Sequence, residues 1–218
     1  MAETQFNYLG IFFTMVTLGL IPLFVVTMTS FLKISVVMFL VRNALGIQQT
    51  PPNLVLYAIA LLLTIYVSAP VLSEVYGRMT ASPVNLSSVE GITEAATRVR
   101  EPIKAHLTRF SHERERQFFH SATERIWPES ARADLKQDDV LVLLPAFVSS
   151  ELTRAFEIGF LLYLPFLVID LVVANILMAM GMIMVAPTLI SIPLKLFLFV
   201  TVDGWSRLLH GLILSYGN

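Results

Sequence analysis

Apolar and polar positions divide this chain into long oily runs around one water-facing stretch. Leu9 to Val41 is apolar apart from Pro22, Lys33 and a hydroxyl cluster at Thr27, Thr29 and Ser30. It exceeds the roughly 17–25 residues of one upright membrane helix. The pattern predicts a tilted or broken helix, or two segments meeting near Pro22, because proline removes a ladder hydrogen bond. The run closes on RNALG, where Arg42 suits a last helical turn and Gly46 the left-handed position beyond it. In QQTPPN, Thr50 is the expected N-cap and Pro51 the first helical residue. A second apolar run, Leu54 to Tyr76, is again long enough to span.

The pattern changes at Gly77. Residues 77–140 hold 10 of the 15 Lys/Arg and 10 of the 16 Asp/Glu. Glu90 to Trp127 reads as helical, with Pro102 as a start and Ile103, Leu107 and Phe110 on one face. The mixed-sign SHERERQFFH reads as a solvated helix face, and Phe118, Phe119, Ile126 and Trp127 as docking residues. His106, His112 and His120 lack metal-ligand spacing, so no metal site is expected.

Beyond Pro145 lie two more apolar runs, Ala155 to Val185 and Leu189 to Leu214, joined by a tip containing Pro187. They predict a helical hairpin that lines or closes a passage through a membrane assembly. Met178, Met180, Met182 and Met184 alternate near the joint. On a continuous helix they would fall on both faces as core filler. If the chain unwinds after Gly181, Met182 and Met184 point together. Charges inside or beside these runs are costly in lipid and draw attention first: Glu151, Arg154, Glu157, Asp170, Lys195 and Asp203. Glu151, Arg154 and Glu157 are a self-satisfied helix start or a ladder between copies. Asp170 and Lys195 need partners, in each other or in a neighbouring subunit.

The composition agrees with a membrane protein. The 218 residues are 56% hydrophobic and 14% charged, with mean hydropathy +0.72. A typical soluble domain carries about 25% charged residues. The net charge of −1 gives no pointer to nucleic acid, and the absence of cysteine excludes disulfides and thiolate metal sites. No catalytic constellation, phosphate loop or cofactor motif occurs, so neither an enzyme nor a cofactor is expected. The acidic start, MAETQFNY, lacks the positive region of a signal peptide. The predicted fold is all-α: an integral membrane protein of long helices with a helical extramembrane insertion. Its segments are 1–76, N-terminal membrane and assembly helices; 77–140, a polar insertion; and 141–218, the C-terminal helical hairpin. Placing the Arg42 loop in the cytoplasm puts the insertion outside it.

Three stretches carry a resemblance: MTSFLKISVVMFLVRNALGIQQTPPN, PAFVSSELTRAFEIGFLLYLPFLVIDLVVANILMAMGMIMV and ISIPLKLFLFVTVDGW. They closely resemble the SctR/FliP family, inner-membrane components of the type III protein export apparatus. The resemblance runs from about Leu18 to the end and is weakest over 82–139. It implies long bent helical hairpins, a gate loop in the C-terminal one, and a pentamer that joins SctS (FliQ) and SctT (FliR) in a helical, closed conduit for unfolded protein substrates, an oligomeric export gate. SctU (FlhB) and SctV (FlhA) complete the apparatus, and much of the complex sits on the periplasmic side of the bacterial inner membrane. The family's methionine gasket maps onto Met182, Ile183 and Met184, with Ile183 where flagellar relatives often have methionine. The short start, with no polar linker, favours the virulence or symbiosis injectisome over the flagellum. The rival readings are a small-solute channel or transporter using Asp170 and Lys195, and a purely structural membrane scaffold.

Overall fold

A computed structural model describes residues 8–81, 88–132 and 135–217. All regular structure among them is helical: α1 (Tyr8–Met28), α2 (Phe31–Ala44), α3 (Asn53–Thr80), α4 (Val89–Phe110), α5 (Glu113–Ile126), α6 (Glu129–Arg132), α7 (Val140–Ala179), α8 (Thr188–Thr201) and α9 (Gly204–Leu214). By length and composition, α3 and α7 could each cross a membrane. Two further pairs, Leu18–Met28 with α2 and α8 with α9, qualify only as broken spans. The chain forms two compact units: residues 1–30 with 68–151, and residues 31–67 with 152–218.

Several boundaries differ from expectation. Pro22 lies inside α1, and the first run breaks instead at Thr29 and Ser30. Proline is tolerated within membrane helices because neighbouring groups satisfy the freed carbonyl. The hydroxyls of Thr27 and Thr29 donate back to the carbonyls of Leu23 and Val25. Such back-bonding competes with the helical ladder where the helix ends. Likewise α3 starts at Asn53, so Thr50 and Pro51 do not cap it. Pro51 precedes another proline, which disfavours its helical conformation. The ladder opens at Pro52, whose carbonyl accepts from Val55 N at 3.0 Å and Leu56 N at 3.3 Å. Gly46 adopts the expected left-handed conformation, with φ 79°.

In the first unit, α4 begins well before Pro102, which sits within the helix. The start is set by Ser88, whose hydroxyl accepts from Gly91 N at 3.1 Å, a helix N-cap. The buried face comprises Pro102, His106, Leu107 and Phe110, and it meets the first turns of α7. His106 stacks edge-on against Phe110, with centroids 5.0 Å apart, and lies 5.9 Å from the Phe147 ring. Burial, reinforced by the nearby Arg109 charge, pushes the His106 imidazole from about 6.5 down to about 4. It therefore packs as a neutral core side chain. Polar clamps surround this contact. Arg100 pairs with Asp139 and Lys104 with Asp138, each at 2.6 Å. The Lys104 hydrogen bond draws the Asp138 carboxyl below its usual range. Further along, His112 N donates to Ser150 Oγ at 2.8 Å, and Ser149 Oγ donates to Glu115 at 2.7 Å.

In the second unit, the expected helix from Leu189 to Leu214 is two helices, α8 and α9, bent by 62°. The break falls at Val202 and Asp203, where Asp203 is left-handed with φ 53°. A non-glycine residue there is strained, though aspartate tolerates it better than most. Phe166, Phe199 and Trp205 pack around the bend, the last two edge-on at 5.4 Å. On the other hairpin arm α7 reaches back to Val140, beyond the expected start near Ala155.

Candidate functional site

The loop between α7 and α8 is built to present apolar side chains outward. Helix α7 stops because Gly181 takes a left-handed φ of 73°. Met182 N donates to Leu177 O at 2.9 Å, and Gly181 N to Met178 O at 3.0 Å. This crossed pair is a Schellman cap, which satisfies the last helical carbonyls. Ile183 N then bonds Gly181 O at 3.0 Å, and Val185 N bonds Met182 O at 3.3 Å. Pro187 caps α8, its carbonyl accepting from Ser191 N at 2.9 Å. The loop backbone is thus held at both ends by hydrogen bonds.

Its side chains are not. Ile183 is 84% exposed and Met184 fully exposed, while Met182 is 39% exposed. Met178 and Met180 are also exposed. The chain does unwind after Gly181, and none of these methionines fills the core of this chain. The exposed set carries no polar side-chain group. It offers no directional recognition, only apolar area and, in methionine, a flexible unbranched surface.

The charged residues separate by role. Lys195, 4% exposed, donates from Nζ to Asp170 Oδ2 at 2.6 Å and to Ala44 O at 3.0 Å. One ammonium thereby ties α8 to α7 and to the carbonyl end of α2, where a cation is favoured. The Asp170–Lys195 pair forms within the chain. Glu151 is fully buried, Arg154 half-buried and Glu157 exposed. At 100° per residue, positions i and i+6 differ by about 120° around a helix, so the three do not share one face. Glu157 has no ion pair among the described residues. Asp203 is exposed at the α8–α9 bend, where its carbonyl accepts from Arg207 N at 3.0 Å.

A further buried cation lies outside the predicted site residues. Lys33 is 1% exposed, with its ammonium 3.5 Å from the Tyr216 ring centroid. Its position inside an apolar run carries the same signal as that of Lys195. Arg42 closes the α2–α3 turn, donating to Asn53 Oδ1 at 2.6 Å and Pro51 O at 3.2 Å.

Apolar helices that pass for membrane spans, a buried Lys195 paired with Asp170 and an outward-facing apolar loop define an integral membrane protein. The comparisons narrow this further. The sequence pattern of the FliP family matches residues 14–212. A probable translocation protein of Sinorhizobium fredii, y4yL, is 56% identical over 99% of this chain and 97% of its own length. Yop proteins translocation protein R of Yersinia pestis is 49% identical over 92% of this chain and 93% of its own. Virulence protein YscR of Salmonella typhimurium is 43% identical over 98% of each. The chain belongs to the FliP family.

Proposed function

We propose that this chain is a core subunit of the type III secretion export gate, of the injectisome branch. With SctS-like and SctT-like subunits it forms a conduit for unfolded proteins across the bacterial inner membrane. Five copies place Met182, Ile183 and Met184 around one axis as a seal, and SctU-like and SctV-like subunits complete the apparatus. Much of the assembly, including the polar insertion, lies on the periplasmic side. The subunit is not an enzyme, and the driving energy comes from other components.

The observation that carries this reading is the exposed apolar loop, anchored at both ends and lacking polar side chains. A contiguous exposed apolar surface marks a contact or a passage. A hydrophobic constriction excludes water and ions by dewetting. The translocation and secretion roles in the names of relatives support the same reading, as do the Yop, harpin and hypersensitivity-response names for the injectisome branch. A small-solute pathway through Asp170 and Lys195 is disfavoured, because Lys195 is almost wholly buried and already bonded twice.

The test is the double variant Met182→Ala, Met184→Ala. It should assemble normally, leak small ions across the inner membrane, and keep most secretion. Ion conductance is measured beside recovery of the intact complex. A variant that assembles, stays tight and secretes normally removes these methionines from the seal.

A further inference from the structure

The bend between α8 and α9 borders a half-open apolar cavity of about 600 Å³ within the second unit. Leu162 and Phe166 of α7, Phe199 of α8, and Leu208 and Leu212 of α9 line it, with Val41 at the end of α2. The volume lies within the roughly 300–1,000 Å³ of ordinary ligand pockets. Two side chains with polar groups, Arg207 and Ser215, are also in its lining. The Arg207 side chain is exposed and has no ion pair among the described residues. Asp203, one turn earlier, meets it only through the backbone.

We propose that this elbow is a phospholipid site, with an acyl chain in the cavity and an anionic headgroup on the Arg207 guanidinium. An apolar cavity holds no ordered water, so in a bilayer the filler at hand is hydrocarbon. The unpaired cation at its lining supplies the charge complementarity that selects among lipids. A guanidinium presents two parallel donors to phosphate oxygens, and a headgroup of net negative charge satisfies it without bringing a competing amine. A segment of another protein would have to bring both an apolar side chain and a carboxylate, whereas an anionic phospholipid supplies both parts in one molecule. This inference does not depend on the conduit role of the loop.

The test titrates the full-length protein, purified in mild detergent with its partner subunits. Phosphatidylglycerol and phosphatidylcholine of identical chains are the probes, and bound lipid is counted by native mass spectrometry. The wild type should prefer phosphatidylglycerol. Arg207→Gln should weaken phosphatidylglycerol about tenfold, the loss of one charge-assisted contact, and phosphatidylcholine less, because its choline cation already offsets the phosphate charge. Gly211→Leu should weaken both lipids. A Cβ on Gly211 meets nothing within 4 Å, and this residue lines the cavity, so the new side chain has room to occupy it. Arg207 is exposed, so its variant reports on the headgroup even where packing at Gly211 changes the fold. Equal binding of the two lipids by the wild type overturns the proposal. So does a Gly211→Leu protein that retains lipid normally but loses its partner subunits, which would make the elbow a protein contact.

Discussion

Replacing Lys195 by methionine keeps the length of a buried side chain and removes its charge. The ammonium holds Asp170 at 2.6 Å and the Ala44 carbonyl at 3.0 Å. Truncating one partner of a buried pair generally costs about 3–5 kcal/mol, because the other charge is stranded. The two partners here are not equally buried: their side chains are 5% and 34% exposed. The Asp170 carboxylate left by Lys195→Met is one-third open at the surface of the chain, where a polar neighbour or penetrating water can meet it, which lowers the expected loss to about 2 kcal/mol. Asp170→Ala strands the ammonium, which has no such outlet, and the loss should be about 3–5 kcal/mol. Removing both, as Lys195→Met with Asp170→Leu, should cost less than the sum, with a coupling of about 2 kcal/mol. The readouts are recovery of the detergent-solubilised complex and its melting midpoint. Recovery should fall in the order wild type, Lys195→Met, Asp170→Ala, before any change in conductance. Equal losses from the two single variants, or an additive double variant, refute the argument from burial. Full recovery with lost secretion would place these charges in the transport path.

Three further outcomes follow from the geometry. Because His106 is held neutral, the unfolded chain binds the extra proton between pH 6.5 and about 4, and stability of the insertion falls as pH drops through that window. The loss should approach about 3 kcal/mol by pH 4 and be much reduced in His106→Phe, as read by hydrogen exchange over α4. Gly181→Ala places a Cβ on a residue with φ 73° and should loosen the α7 cap by about 1 kcal/mol, while Gly181→Asn is better tolerated; amide exchange at Met182 reports both. Glu124 is exposed on α5, so Glu124→Cys in this cysteine-free chain should react with an impermeant thiol reagent once the outer membrane is permeabilised; labelling only after inner-membrane lysis reverses the topology.

The sequence announced the helices because their runs are long and the polar insertion has a clear apolar face. Gly46 was legible for the same local reason, since one residue type dominates that conformation. Prolines misled where burial overruled local preference: Pro22 and Pro102 lie inside helices that end elsewhere. The α8–α9 bend carried no breaker of the usual kind beyond Gly204, because its strain sits on Asp203 and is held by aromatic packing. The loop was readable as a conditional, with Gly181 as the switch between core filler and outward-facing side chains. Pairing of Asp170 with Lys195 was readable only as one of two options, since packing decides between a partner in the same chain and one in a neighbour. The elbow cavity and Arg207 were invisible for that reason as well.

Helix α7 has a consequence for where lipid can meet it. Beyond the exposed Glu157, its large apolar side chains stay exposed turn after turn from Phe160 to Met178. At 1.5 Å per residue that stretch is about 29 Å long, close to a hydrocarbon layer of about 30 Å. The turns that carry Glu151, Arg154 and Glu157 then fall outside the oily layer, and Asp170 is the one acid carried into it, with Lys195 as its companion.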